Sequence, residues 1–195
     1  MAKIDLLNIL RSDKTIFTSK DVLLSSKEHD PIVLKRSLNY YAKKGELYSI
    51  RRGFYAKDKN YDKNELATKI YTPSYISFET VLGRAGVTFQ YYSQIFIASY
   101  KSVEIEVEGQ KYLFKKIKDS ILTNSAGIDK KENYSIASLE RAFLDVIYLH
   151  KDYHFDNLRP LDWNKIYDIL PIYGGNKRME KSVKMYNNAF KNNLK

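Results

Sequence analysis

Residues 30–56 read DPIVLKRSLNYYAKKGELYSIRRGFYA. Asp30 suits a helix N-cap, and Pro31 suits the first helical position, where the missing N–H leaves no bond unmade. The helix so opened is predicted to run to Lys44 and stop at Gly45, which adopts the left-handed conformation of a C′ residue without steric cost. Leu34, Leu38 and Tyr41 fall on one face of it; Lys35, Arg36, Asn39, Tyr40 and Lys43 fall on another. Any surface helix of a basic protein has a solvated cationic face, so this helix alone decides nothing. The following segment does. Glu46–Ile50 and Phe54–Ala56 are strand-like runs around Arg51-Arg52-Gly53, a hairpin tip in which glycine supplies the positive φ.

Upstream, Lys3 to Arg11 puts Ile4, Leu6, Leu7 and Leu10 on one apolar stripe, and Ser12-Asp13-Lys14 ends it. Ile16-Phe17 is long enough only for a bridging strand. Thr18 then reads as an N-cap with Asp21 as its capping-box acid, opening a short helix interrupted by Ser25-Ser26-Lys27. Three short helices and a two-stranded ribbon tipped by two arginines make the layout of a winged helix-turn-helix, expected over residues 1–57. Such a unit suits duplex DNA. A helix fits the major groove, and arginines on the ribbon reach a phosphate or the minor groove. Lys35, Arg36 and Asn39 are the candidates for base contacts. Tyr40 is a candidate for stacking, as is Tyr48. Lys20, Lys43, Arg51 and Arg52 are candidates for phosphates, together with Thr18 and Ser19 at the start of the short helix. Some winged helices bind protein instead, and that alternative stays open.

The charge distribution agrees with a polyanionic partner. The 195 residues carry 33 Lys+Arg against 23 Asp+Glu, net +10, and residues 1–57 hold 12 of the bases with only six of the acids. Apolar residues make up 44% of the chain and charged residues 29%, a globular balance. The absence of cysteine excludes disulfides and thiolate metal sites and fits a reducing compartment. Met1-Ala2-Lys3-Ile4-Asp5 reads as no signal peptide, and the longest uncharged stretch, Ala85 to Tyr100, is too short and polar to span a bilayer. A cytoplasmic protein without membrane contact is expected.

Residues 58–64 are polar and turn-rich and are expected as a linker, with a second domain over 65–195. The fold class expected overall is mixed α+β, the second domain combining a small antiparallel sheet with several helices. A short helix is predicted from Glu65 to Tyr71. A short strand follows Pro73, and then a helix capped by Ser77 that stops at Gly86. Strands are predicted at Gln94–Tyr100, Val103–Val107 and Gln110–Ile117. Closing the last two on Glu108-Gly109 pairs Glu106 with Lys111, Ile105 with Tyr112 and Val103 with Phe114, so charge meets opposite charge and apolar meets apolar. Further helices are predicted from Ser138 to about His150, at Asp162–Leu170 and at Lys177–Lys191.

Three segments in this order resemble the AbiEi-like antitoxins of abortive-infection, type IV toxin–antitoxin systems. They are Lys43-Lys44-Gly45-Glu46-Leu47…Ile50-Arg51-Arg52-Gly53-Phe54-Tyr55, then Pro73-Ser74-Tyr75-Ile76-Ser77-Phe78-Glu79-Thr80-Val81-Leu82, then Ile136-Ala137-Ser138-Leu139-Glu140-Arg141-Ala142-Phe143-Leu144-Asp145. In the third, Leu139 stands where the family often has proline. The resemblance implies a two-part transcriptional autorepressor. Its N-terminal part would bind inverted repeats in the promoter of its own operon. Its C-terminal α/β part would act as antitoxin against a nucleotidyltransferase-like toxin, opposing the toxin's action rather than masking it in a stable complex. It implies no residue-level antitoxin site.

Catalytic and metal chemistry find little footing in the sequence. His150 and His154 have zincin spacing, but Lys151 stands where the glutamate belongs. Glu104, Glu106 and Glu108 share a strand face without a following Glu-x-Lys and read as solvated. Gly174-Gly175 reads as a turn, and Arg141 with Asp145 as an ordinary surface pair of a helix. The 17 tyrosines fall mostly in apolar runs and read as core. No cofactor, no metal and no enzymatic activity are expected. A metal-dependent nuclease built on Glu104–Glu108, and a winged-helix adaptor for protein, remain as alternatives.

Overall fold

The computed structural model describes residues 11–25 and 30–192. The chain is mixed α+β and divides into two compact units, Met1–Leu66 and Ala67–Lys195. The expected opening helix falls almost wholly outside the described residues, as do Ser26 and Lys27 of the expected interruption.

In the first unit β1 (Ile16–Thr18) leads into α1 (Ser19–Ser25). Thr18 N–H donates to the Asp21 carboxylate at 2.9 Å and Asp21 N–H donates to the Thr18 hydroxyl at 3.0 Å, the reciprocal bonds of a capping box. Helix α2 (Pro31–Lys43) is capped by Asp30, whose carboxylate accepts from Ile32 N–H at 2.8 Å. It ends because Gly45, at φ 76°, turns the chain back, so that Gly45 N–H reaches Ala42 O and Glu46 N–H reaches Tyr41 O. Then come β2 (Tyr48–Arg51) and β3 (Phe54–Ala56), joined through Arg52-Gly53 with Gly53 at φ 82°. The bridging strand β1 pairs with β3, Phe17 opposite Tyr55, which completes a three-stranded antiparallel sheet in the order β1-β3-β2. Phe17, Val22, Leu34, Leu38, Leu47 and Tyr55 form its core. Helix α3 (Lys63–Ile70) follows. Residues 58–64, expected as a linker, are tied to the first unit. Asp62 N–H donates to Thr15 Oγ1 at 3.0 Å, and buried Tyr61 stacks on Tyr48.

The second unit is built on a six-stranded sheet of β4 (Ser74–Ile76), β5 (Ile95–Ser99), β6 (Val103–Val107), β7 (Gln110–Lys116), β8 (Ile128–Lys130) and β9 (Ser135–Ala137), in the order β6-β7-β5-β4-β9-β8. The sheet is mixed, which corrects the expectation of a small antiparallel one. β5 runs parallel to β7 and β4 parallel to β9. Neither parallel pair is joined by a local turn, and β5 is buried along its whole length, so its partner across the sheet leaves no alternating pattern in the sequence. The β6–β7 hairpin has the register that side-chain matching predicts, with Glu108 (φ 50°) and Gly109 (φ 77°) at its turn. Helices α4 (Glu79–Arg84), α5 (Asp119–Leu122), α6 (Leu139–Leu149), α7 (Trp163–Ile169) and α8 (Lys177–Asn192) accompany the sheet, with a 3-10 turn at Leu170–Tyr173. Helix α6, capped by the Ser138 hydroxyl, is the hub: residues 140–147 are all buried, and α4, α7 and α8 pack on it. Among the described residues no helix is long and apolar enough to cross a membrane.

Candidate nucleic-acid interface

Helix α2 has no acidic residue, and Lys35, Arg36, Asn39 and Lys43 stand exposed on it while Leu34 and Leu38 are 2% and 0% exposed. Tyr40 is exposed too, its ring edge-on to Tyr41 and 4.8 Å below the Lys44 ammonium. The Tyr40 hydroxyl, accepting from that ammonium, raises the Lys44 pKa. Asn39 is held rather than free, since its side-chain oxygen accepts from the Tyr55 hydroxyl at 3.0 Å. That bond ties the middle of the polar arc of α2 to strand β3. The amide group of Asn39 is the part left to donate.

The hairpin tip is tied to the start of α1. Ser19 N–H donates to Gly53 O at 3.1 Å, which brings the start of α1 beside the Arg52-Gly53 turn, while Arg51 lies across β3 from Thr18. Lys20 and Arg52 are exposed. Arg51 is half-buried with its guanidinium 5.6 Å from the Phe54 ring, and its buried Nη1 has no hydrogen-bond partner among the described residues. Two expected phosphate donors prove occupied locally. The Thr18 hydroxyl is taken up by Asp21, and Ser19 N–H by Gly53. Tyr48 is half-buried, with its ring stacked on Tyr61 at 6.5 Å and the Lys59 ammonium over it at 5.8 Å. Ile32, absent from the sequence-based candidates, is 62% exposed. A signal for it exists, because Ile32 lies off the stripe of Leu34, Leu38 and Tyr41.

The densest polar cluster of the second unit is of another kind. Arg141 and Asp145, expected as a surface pair, are both 0% exposed, which corrects that reading. The guanidinium lies between the Tyr75 and Tyr173 rings, at 5.3 and 5.6 Å. Its nitrogens donate to Ala126 O (2.8 Å), Ile121 O (2.7 Å), the Tyr75 hydroxyl (2.9 Å) and Asp145 (3.4 Å). Asp145 also accepts from the hydroxyls of Ser77 (2.7 Å), Tyr173 (2.7 Å) and Tyr75 (3.0 Å). Ser77, expected to cap a helix, bonds Asp145 instead, and Phe78, at φ 56°, stands at the N-cap of α4. Burial pushes the Asp145 carboxyl above its usual value against the pull of Arg141 and the three hydroxyls, and pushes the Tyr75 and Tyr173 phenols up as well. Every guanidinium nitrogen is engaged inside a closed core, so the cluster holds the unit together and offers a substrate no access.

Glu104, Glu106 and Glu108 are exposed, and Glu104 pairs with Lys111 at 3.4 Å. Helix α6 ends at Leu149, so His150 and His154 do not share a helical face. Among the described residues no group of three His, Cys, Asp or Glu side chains gathers as metal ligands would. Gly174 and Gly175, at φ 74° and 65°, form the turn before α8. Comparison of the sequence with protein-family models finds no match, and no curated protein matches it.

Proposed function

We propose that the first unit is a winged helix-turn-helix that binds double-stranded DNA, and that the protein is a transcriptional autorepressor serving as antitoxin in a type IV toxin–antitoxin operon. The observation that carries the DNA-binding part is the Ser19–Gly53 backbone bond, which sets a two-arginine hairpin beside the first turn of α1 in a unit whose longest described helix bears no acid. In this reading α2 enters the major groove, Lys35, Arg36 and the Asn39 amide face base edges, and Lys20, Lys43, Arg51 and Arg52 hold phosphates. The antitoxin part rests on the resemblance of the three quoted segments, with a nucleotidyltransferase-like toxin as its functional counterpart.

The test uses the duplex immediately upstream of the protein's own reading frame. Fluorescence anisotropy should give specific binding at roughly physiological salt, about 10³-fold or more tighter than to a scrambled duplex of equal length. A reporter under that upstream region should be repressed, and growth arrest by a neighbouring toxin gene should be relieved on co-expression. Absence of duplex binding with co-purification of a second polypeptide would favour a protein adaptor. Plasmid cleavage with magnesium or manganese, abolished by Glu106→Ala, would favour a nuclease.

A further inference from the structure

We infer that Ile32 sets sequence preference at one base pair of each half-site by packing against the C5-methyl group of a thymine. The inference rests on the DNA-binding reading above. Helix α2 buries Leu34 and Leu38, yet leaves the branched side chain of Ile32 62% exposed at its second residue. Ile32 lies on the same arc as Arg36, Asn39 and Lys43, one helical turn before Arg36. Acid-free and flanked by Lys35 and Arg36, the arc is complementary to DNA charge. Residues near the start of a groove-bound helix are those that meet base edges. In the major groove the thymine methyl is the apolar group a base edge presents, so it is the match for an exposed isoleucine. Ile32 and Arg36 are separated by about 6 Å along the helix axis. With bases stacked about 3.4 Å apart, the thymine lies within roughly two base pairs of the guanine that Arg36 contacts.

The probe is the duplex most enriched when the full-length protein selects from a randomised pool. Each thymine in it is then replaced singly by deoxyuridine, which removes only the methyl group. One replacement per half-site, close to a guanine, should weaken binding about fourfold, the worth of one buried methyl. With Ile32→Ala the same replacement should have no effect, whereas with Ile32→Val most of it should remain. Arg36→Ala should leave the methyl effect intact. If every replacement is silent, or if the thymine effect persists unchanged in Ile32→Ala, the assignment is wrong. It is equally wrong if Ile32→Ala weakens all duplexes alike and lowers the molecular mass by light scattering, since Ile32 would then join two copies of the chain. A pool that yields no enriched duplex overturns the DNA-binding reading itself and this inference with it.

Discussion

Arg141 and Asp145 are four residues apart on α6, a spacing that on most helices places an ion pair in water. Here the carbonyls of Ile121 and Ala126, the hydroxyls of Tyr75, Ser77 and Tyr173, and two phenol rings close over them. Gly127 permits this closure. A Cβ there would stand 2.8 Å from Ile169 Cδ1 and 2.9 Å from Arg141 Cβ, and the residue sits at φ 70°. A buried ion pair is costly to break from one side, because the remaining charge is stranded away from water. Asp145→Ala should therefore lower unfolding free energy by about 3–5 kcal/mol, measured by urea denaturation. Arg141→Met with Asp145→Leu should cost less than the sum of the two single changes. Equal and additive effects would show that the pair acts through shape and not through charge.

Among the elements, those written in local chemistry are legible from sequence. The capping box of α1, the Asp30-Pro31 start and Gly45 stop of α2, and the β6–β7 register all follow from residues within a few positions of one another. Asp21→Ala removes the acceptor of Thr18 N–H and of its hydroxyl, and should lower the stability of the first unit by about 1 kcal/mol, seen as a reduced urea midpoint at unchanged slope. Elements defined by distant partners are not legible. Strands β8 and β9 are three residues each, and β9 lies beside β4 through one register pair, Ile76 with Ile136. Ser77 has the look of a cap because serine before a helical run commonly is one. Its hydroxyl is drawn instead to a carboxylate 68 residues later. In the candidate interface the exposed cations are legible from helical periodicity. The Asn39–Tyr55 and Ser19–Gly53 bonds join α2 to β3 and α1 to the hairpin tip, and no local pattern announces them.

For the molecule as a whole, a net charge of +10 means that the proposed association with DNA would be governed largely by release of counterions. Arg51→Ala with Arg52→Ala should lower affinity for specific and scrambled duplexes alike and flatten the dependence of log K on log[salt], by about 0.9 of slope for each phosphate no longer neutralised. An unaltered slope would remove the hairpin from the interface. The six-stranded sheet bears on association of another sort. Its outermost strand on one side, β6, alternates Val103, Ile105 and Val107 with Glu104 and Glu106, and its outermost strand on the other carries Asp129 and Lys130. A foreign strand aligning with either rim would have to bring its backbone up to these charged side chains. Both margins of the sheet are thus poor templates for accretion of further copies, a safeguard against fibrous self-assembly.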